Sequence, residues 1–444
     1  MDNLQFKLFE KELSKEDIFL PHQNTIGDKV ITDKVHVFTE WAPVKSLILG
    51  YFGDSSNLPL HDEVIFKDEE DLIPGMDIPK RVIERCQEIQ NNAATELMKR
   101  GIKVYRVGDT DMKQAFKVGD TMVQGFNSFS PRDLIFCYHD SVIEFPSICT
   151  SRQHEHRTFN WILEQLRKNG SKWYTSYVCP FTPTAPLLDA AQLLRIGLDI
   201  LVLVSMGGTY EGYLKVKDFF NTKYGGKVRV HPIINVYDGI HVDTTFTILG
   251  FNKKLQKYLV LVNPKRVTPT NMPVIFRGKN WAVLNCAPMV DQGHEKNMCI
   301  ASTCIGMNIF ILNSELLLMD DAQKELANHL NFYGIETIQI KHEQGRTVGG
   351  GMHCMTNDYY REEEMDFDRI LNTPKEKLSR EEDACYFDAD ILEVLRKETE
   401  DEEKWVDICN KKGIFATYVT DHLDDESKKD LLEKNEKCIK SLNL

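Results

Sequence analysis

The sequence predicts an α/β fold built from a repeated unit of strand hairpin, helix and strand. Four segments contain apolar, β-prone runs broken by turn residues or charges, which is the pattern of two antiparallel strands. They are DLIFCYHDSVIEF from Asp133, QLLRIGLDILVLV from Gln192, TTFTILGFNKKLQKYLVLV from Thr244 and MNIFILNSELLLM from Met307. Segments with helical periodicity alternate with these hairpins, so one unit recurs every several tens of residues.

Five segments read as an amphipathic helix followed by a strand. They are RVIERCQEIQNNAATELMKRG before IKVYRV, RTFNWILEQLRKNG before KWYTS, YEGYLKVKDFFNTKYGG before KVRVHPI, NMPVIFRGKN before WAVLNC, and DDAQKELANHLNFYG before IETIQI. NMPVIFRGKN has the weakest helical pattern. Gly101, Gly170, Gly225 and Gly334 stand where a helix C-cap is expected, because glycine adopts the left-handed conformation without a steric penalty.

Two architectures fit this pattern. Repeated units that cannot bury their own cores favour a ring, closed by the opening strand KSLILGYF and a late strand around Gly349 to Met355. An ordinary α+β domain with mixed sheets would show the same alternation, so the pattern alone leaves both open.

Composition excludes several functional classes. The chain has 444 residues, 42% of them hydrophobic, which is enough for a large core, and its longest apolar run, LDILVLVSM, is too short to span a bilayer. The N-terminus carries acidic residues and lacks the features of a transit peptide or a secretory signal. We therefore expect a cytoplasmic protein with no membrane role.

The negative charge is concentrated at the C-terminal end. Residues 362–444 contain 25 acidic and 14 basic residues, whereas the whole chain carries a formal charge of −13. We predict a catalytic domain over residues 1–361 and an acidic extension over residues 362–444, helical or partly disordered. Neither part has the basic surface that nucleic-acid binding requires.

Cysteine and histidine spacing does not predict a metal site. The eleven cysteines include no CxxC pair, which is the spacing that a zinc ribbon or a thioredoxin-like motif requires. We expect these cysteines to be reduced thiols. In RQHEHR, His154 and His156 are two residues apart where a helix begins, which does not place two ligands on one helical face.

Three patches carry residues suited to catalysis. In TVGGGMHCMTND, Cys354 follows three glycines that let the backbone approach a ligand closely, and a thiolate is a strong nucleophile. In GIHVDTTF, His241 and Asp243 would share one face of a strand, and in PLLDAAQLLRIG, Asp189 precedes two small alanines. Taken singly, a structural cysteine, a solvated strand face and a turn aspartate are the more frequent explanations.

Together these patches resemble the glycine amidinotransferase family, which includes the inosamine-phosphate amidinotransferases. The resemblance extends from about Glu40 to about Arg361. The motifs, in chain order, are TEWAPVKSLILG, SPRDLIF, EFPSICTSRQHEHR, PLLDAAQLLRIGLDI, HPIINVYDGIHVDTTFTILG, LVNPKRV, MNIFIL and GGGMHCMTND. The resemblance implies a five-bladed α/β propeller of pseudo-fivefold symmetry, in agreement with the repeated unit.

The resemblance also implies roles for individual residues. Cys354 matches the nucleophile, His241 the general acid/base, and Asp189 its carboxylate partner. The remaining four match substrate-binding positions: Asp133 and Asp243 for the guanidinium, Arg266 for the α-carboxylate, and Ser302 near the reacting centre.

The implied reaction moves the amidino group of L-arginine onto an acceptor amine. Attack by the thiol on the guanidinium carbon would release ornithine and leave an amidino-cysteine intermediate, so ping-pong kinetics are expected. The resemblance implies no cofactor and no metal. The expected partners are arginine and the acceptor amine, and we expect no binding to nucleic acid or membrane. The resemblance is also compatible with a homodimer.

The positions at which the sequence differs from the glycine amidinotransferases, called the glycine enzymes below, bear on the identity of the acceptor amine. Gln192 replaces a second acid, Asp238 and Ile240 replace an asparagine and a methionine, and CMTND differs two residues after the Thr. Two alternatives remain: a hydrolase that converts arginine or dimethylarginine to citrulline on the same fold, and a non-enzymatic binding protein. The complete set of candidate catalytic residues argues against the second.

Overall fold

The computed structural model describes residues 9–10, 18–58, 71–118, 121–175, 187–234, 236–237 and 239–411. Within these ranges, five sheets share one pairing pattern: the central strand pairs antiparallel with one neighbour and parallel with the strand that follows it in the chain. The antiparallel neighbour precedes the central strand in four sheets, whereas in the remaining sheet it is the late strand Thr356–Arg361. A two-stranded hairpin, Phe116–Val118 and Thr121–Val123, lies apart from them. The α/β class predicted from the sequence is confirmed.

The strands of the five sheets follow the chain order of the predicted units. Sheet 1 contains Thr356–Arg361, Val44–Leu49 and Lys103–Arg106; sheet 2 contains Ile135–Tyr138, Ser141–Glu144 and Lys172–Thr175, with Phe9–Glu10 at its edge; sheet 3 contains Leu193–Ile196, Asp199–Leu203 and Arg229–Ile233; sheet 4 contains Phe246–Asn252, Lys257–Val262 and Trp281–Asn285; and sheet 5 contains Phe310–Asn313, Leu316–Asp320 and Glu336–Ile340. Arrangement of these sheets as a propeller of fivefold symmetry stays a prediction.

A helix connects the two parallel strands in four sheets, because a parallel pair requires a crossover. These helices are Lys80–Met98, His156–Lys168, Tyr210–Tyr224 and Lys324–Phe332. The four predicted glycine C-caps are confirmed by positive φ angles of 76°, 99°, 59° and 80°. The helix predicted in NMPVIFRGKN is instead a single 3₁₀ turn, Val274–Arg277, bounded by Pro273 and Gly278.

The predicted late strand was wrong in position. Residues 349–355 form a loop after the short helix Gly345–Val348, because Gly349 ends that helix in the left-handed region with φ = 75°. The strand that completes sheet 1 begins at Thr356 and pairs with Val44–Leu49. This shift places Cys354 in the loop, two residues before the strand.

Five buried charged residues form a cluster that we call the arginine network: Glu40, Arg132, Arg195, Asp358 and Arg361. Asp358 accepts hydrogen bonds from all three arginines, at 2.6, 2.8 and 2.6 Å. Arg195 also binds both oxygens of Glu40, at 2.8 and 2.9 Å. Removing one member of such a cluster is destabilising, because it leaves an unpaired buried charge.

Residues after Arg361 form helices that pack on the sheets. They are Phe367–Asn372, Arg380–Ala384 and Ala389–Lys411, with a 3₁₀ turn at Lys375–Lys377. The Phe367 ring stacks on Phe38 with centroids 4.4 Å apart, and the Phe387 ring stacks on Trp281 at 5.7 Å. Division of the chain at residue 361 stays a prediction, and residues 412–444 lie outside the described residues. No helix among the described residues has the length and apolar character needed to cross a bilayer.

Candidate active site

A short turn before the first strand of each hairpin supplies the candidate site residues except Arg266, which follows the strand Lys257–Val262. Four of these turns are 3₁₀ helices: Pro131–Asp133, Ala190–Gln192, Val242–Thr244 and Thr303–Met307. Consecutive turns pack against one another, and the fourth packs on the helix before the Cys354 loop. Equivalent points of separate units therefore converge, which brings together residues more than 200 positions apart in the chain.

Cys354 lies at the centre of this convergence. Its side chain is 2% exposed, and its thiol donates to Oδ2 of Asp243 at 3.3 Å. Two more residues lie close to the thiol. Sγ of Cys354, a carboxylate oxygen of Asp133 and a ring nitrogen of His241 all lie within 4.8 Å of one another. The predicted nucleophile, acid/base and carboxylate are thus neighbours.

His241 is held by two carboxylates. Its Nε2 lies 3.2 Å from Oδ2 of Asp189, and its Nδ1 lies 3.8 Å from Oδ1 of Asp133. Asp189 is itself fixed, because its Oδ1 accepts from the backbone N–H of Ile148 at 3.1 Å. The structure therefore brings the predicted histidine and its predicted partner into contact.

The predicted strand around His241, with His241 and Asp243 on one face, was wrong, although the charge of Asp243 does act on His241. His241 has φ = 65° and precedes the 3₁₀ turn, and the strand begins only at Phe246. A positive φ in a non-glycine residue costs free energy and must be held by its surroundings. Here the surroundings are the paired carboxylates that face the imidazole.

Asp133 presents one free oxygen to the site. Its Oδ2 accepts from Arg152 Nη1, whereas its buried Oδ1 has no hydrogen-bond partner within the described structure. Arg152 also binds both oxygens of Glu155, each at 3.0 Å. The free oxygen therefore points into a pre-built site, since buried polar atoms are otherwise nearly always paired.

Asp243 is oriented by three donors on one oxygen. Its Oδ2 accepts from Asn308 Nδ2 at 2.7 Å and from Cys354, and it lies 2.9 Å from His353 Nδ1. Because these contacts all use Oδ2, the other oxygen is left to meet a ligand. Asp133 and Asp243 thus flank the thiol with one available carboxylate oxygen each.

Arg266 and Ser302 lie together at one side of the site. Arg266 Nη1 donates to the backbone and hydroxyl oxygens of Thr244, at 3.0 and 2.7 Å, and to Thr245 Oγ1 at 3.0 Å. Its Nη2 lies 3.4 Å from Ser302 Oγ, and its guanidinium stacks 3.5 Å over the Tyr237 ring. Within the described residues no carboxylate pairs with Arg266, which leaves its charge available to an anionic ligand.

The carboxylates set the charge state of the two reactive groups. Burial lowers the pKa of His241, but Asp133, Asp189 and Asp243 outweigh this effect and raise the pKa to about 9. Burial raises the pKa of the Cys354 thiol well above its usual range, and the charges of Asp243 and Asp133 raise it further. Near neutral pH the free site therefore holds an imidazolium and a protonated thiol.

These charge states bear on whether the cluster could hold a metal. Asp133, His241 and Cys354 offer three ligand atoms at suitable spacing. A metal needs a neutral imidazole and a thiolate, so binding would require the loss of two protons from the free site at neutral pH. The expectation that the reaction uses no metal and no cofactor stays a prediction.

Sequence reasoning missed four residues that complete the site. Asn308 and His353 contact Asp243, and Arg152 with Glu155 fixes Asp133. All four lie inside the motifs MNIFIL, GGGMHC and TSRQHEHR, so motif membership was the available signal. In RQHEHR, Arg152 contacts Asp133 and Glu155 holds Arg152, and the histidine spacing gives no indication of this.

Two residues at which the sequence departs from the glycine enzymes can be placed. Gln192 is fully buried and donates to the backbone oxygen of Leu203 and to Ser205 Oγ. Ile240 packs against the buried Ile148–Leu187 pair. Asp238 lies outside the described residues.

Comparison with known proteins identifies relatives that are named as amidinotransferases. The chain is 31% identical over 350 residues to inosamine-phosphate amidinotransferase 1 of Streptomyces griseus, an alignment that covers 74% of this chain and 97% of the relative. It is 25% identical over 361 residues to mitochondrial glycine amidinotransferase of Gallus gallus, covering 73% of this chain and 82% of that protein. No protein-family model matches the chain.

A solved structure supports the same relationship. The inosamine-phosphate amidinotransferase structure from Streptomyces griseus superimposes with a TM-score of 0.68 at 30% identity, covering 75% of this chain and 98% of that one. About a quarter of this chain therefore lies outside the shared part.

Proposed function

Because the chain belongs to the amidinotransferase family and is an enzyme that transfers amidino groups, we propose that its donor is L-arginine and that transfer proceeds through an amidino-cysteine at Cys354. One observation carries this proposal: Asp133, His241 and Cys354 converge within 4.8 Å beside Asp243. A nucleophile, an acid/base and two carboxylates are what displacement at a guanidinium carbon requires.

The two ends of arginine match the charges of the site. The guanidinium would lie between the available oxygens of Asp133 and Asp243, which fixes its plane and places its central carbon beside Sγ. The α-carboxylate would reach Arg266, whose fork lacks a carboxylate partner within the described residues. Ser302, beside Arg266, would assist there.

In the first half-reaction Cys354 attacks the guanidinium carbon. Arrival of the cation neutralises Asp133 and Asp243, whose charges raise the pKa of the thiol, so the thiolate becomes accessible when donor is bound. His241, protonated because its pKa is about 9, gives its proton to the departing nitrogen and regains the proton of the thiol. The C–N bond breaks, ornithine leaves, and the amidino group remains on sulfur.

In the second half-reaction an acceptor amine attacks the same carbon. His241, again protonated, gives its proton to sulfur as the C–S bond breaks and takes a proton from the attacking amine, which regenerates the thiol and the imidazolium. Asp189 supports both steps, because its contact with Nε2 holds the ring orientation while the proton moves. Ping-pong kinetics follow from the shared intermediate.

The test is mass spectrometry of the enzyme mixed with arginine and no acceptor. We expect one amidino adduct on the peptide that contains Cys354, and ornithine in solution. Adding a panel of amines should discharge the adduct and produce a new guanidino compound from the true acceptor. An adduct on another cysteine, or none at all, would contradict the proposed intermediate.

The same experiment addresses hydrolysis. Citrulline and ammonia as the only products would identify water as the acceptor and make the chain a deiminase-type hydrolase. Location in the cytoplasm and assembly as a homodimer stay predictions from the sequence.

A further inference from the structure

The side chain of Asn308 joins the nucleophile to its loop and to Asp243. Its Nδ2 lies 3.0 Å from Cys354 Sγ and 2.7 Å from Asp243 Oδ2. Its Oδ1 accepts from the backbone N–H groups of His353 and Cys354, at 2.9 and 3.0 Å. Asn308 is 3% exposed, so these contacts are shielded from water.

The orientation of this amide follows from its partners. Two backbone N–H donors face one end, so that end must be the oxygen, because an NH₂ group there would meet two other donors. The NH₂ group is thereby directed at the sulfur and the carboxylate. Donation by both backbone groups also polarises the amide, which strengthens Nδ2 as a donor.

The loop is built to admit this side chain. A Cβ added to Gly351 would lie 2.7 Å from Asn308 Cβ and 2.8 Å from its Oδ1, so any larger residue there would displace the amide. The backbone N–H of Met352 also donates to the Asn308 carbonyl at 3.0 Å. One glycine of the GGG run therefore serves the contact between Asn308 and the loop.

We propose that Asn308 is a further catalytic residue, which donates a hydrogen bond to Cys354 Sγ and so stabilises the thiolate when it forms and when it leaves the amidino carbon. The inference rests on the proposed role of Cys354 as nucleophile. The other side chains around Sγ include Asp243 and Asp133, whose charges oppose ionisation. Asn308 supplies a neutral donor that acts in the opposite direction.

The substitution Asn308→Asp removes the hydrogen bond from Nδ2 to sulfur but keeps an oxygen that accepts from the loop backbone. A carboxylate oxygen can still accept from both backbone N–H groups, so the loop keeps its support, whereas the NH₂ donor is replaced by a negative charge. We expect alkylation of Cys354 by iodoacetamide at pH 8, followed by peptide mass spectrometry, to slow about 10- to 100-fold. Asn308→Ala, which adds no charge, should slow it about tenfold or less.

Asn252→Asp is the matched control. Asn252 is buried, and its Oδ1 also accepts from two backbone N–H groups, of Lys254 and Leu255, while its Nδ2 donates to the Tyr333 carbonyl at 2.8 Å. The substitution therefore reproduces the loss of a buried amide donor without contact to sulfur. Alkylation of Cys354 in this variant should match the wild type.

An NMR measurement on the wild-type chain tests the same hydrogen bond and does not require that a variant fold correctly. With ¹⁵N-asparagine labelling, one side-chain amide signal should shift when Cys354 is alkylated and should be missing in Asn308→Asp. The inference is overturned if no side-chain amide responds to alkylation, or if folded Asn308→Asp reacts within about twofold of wild type, well inside the fall expected for a lost charge-assisted hydrogen bond.

Failure of this inference can be told from failure of the proposed function. Alkylation requires no arginine and reports only on the thiol. If arginine gives no adduct on Cys354 but the alkylation rates differ as expected, the hydrogen bond stands and the donor assignment falls. In the active enzyme, Asn308→Ala should lower kcat, because the thiolate loses its donor.

Discussion

Two buried charged regions contact the Cys354 loop and differ in how completely they are paired. In the arginine network, Asp358 binds three guanidiniums and Glu40 binds Arg195 through both oxygens. In the second region, which we call the thiol cluster and which consists of Asp133, Asp189, His241, Asp243 and Cys354, Oδ1 of Asp133 has no hydrogen-bond partner within the described structure and lies 3.8 Å from His241 Nδ1.

The contrast separates a structural use of buried charge from the catalytic use that we propose for the thiol cluster. Arg195, Arg361 and Arg132 lower the pKa of Asp358 well below its usual range, despite burial, so that charge is committed to the fold. In the thiol cluster, carboxylates instead raise the pKa of His241 and of Cys354, so the cluster is suited to bind a cation. The regions touch, because Arg132 Nε donates to the His353 carbonyl at 3.0 Å.

The largest effect should follow from removing the thiol. Cys354→Ala should fold as the wild type does and lose amidino transfer by about 10⁴-fold or more, because the covalent route disappears. The assay is ornithine release from arginine in the presence of an accepted amine. Cys86→Ala removes another buried thiol, outside the cluster, and should retain activity; equal losses in both variants would remove the distinction between the two thiols.

Breaking the arginine network should act on stability instead. Asp358→Asn leaves three buried guanidiniums with Glu40 as their remaining partner in the network, so the free energy of unfolding should fall by about 3–5 kcal/mol. Urea denaturation measures this change. Asp390→Asn, in an exposed pair with Arg380, should have no measurable effect. Normal stability in Asp358→Asn would show that this network is not structural.

The charge state of His241 predicts a pH dependence of stability. Its folded pKa of about 9 lies above its unfolded value of about 6.5, so protonation contributes stability that is complete below about pH 6.5 and lost as pH rises through 9. Between these values the wild type should lose about 3 kcal/mol more than His241→Asn in unfolding experiments. Parallel pH profiles would mean that the carboxylates do not hold an imidazolium.

The smallest effect concerns one end of the donor. Arg266→Lys keeps the charge but loses the planar fork, so kcat/KM for arginine should fall about tenfold, whereas agmatine, which lacks the carboxylate, should change little. Agmatine serves as the control within the same variant. An equal fall for both substrates would show that Arg266 does not bind the α-carboxylate.

Local patterns predicted the hairpin–helix–strand units well, because strand and helix periodicities and glycine caps are properties of adjacent residues. They failed where glycine changed the backbone: a run that resembled a strand around Gly349 is a loop, since Gly349 has a positive φ. His241 likewise leaves the strand geometry expected of GIHVDTTF. Both departures occur at the candidate site, where a residue with positive φ interrupts the regular backbone.

The candidate site was predictable as a set of positions but not as a network. Ordered motifs indicated Asp133, Asp189, His241, Asp243 and Cys354, which the structure brings together. Nothing local indicated that Asn308 would bind Cys354, because 46 residues separate them and the contact depends on how two units pack.

The pairing of Val44–Leu49 with Thr356–Arg361 has a consequence for biosynthesis. The first of these strands leaves the ribosome more than 300 residues before its partner, so sheet 1 cannot be completed until most of the chain has been translated. The loop that carries Cys354 ends where the late strand begins. A nascent or prematurely terminated chain would therefore lack the assembled thiol cluster, and its reactive centre would form among the last events of folding.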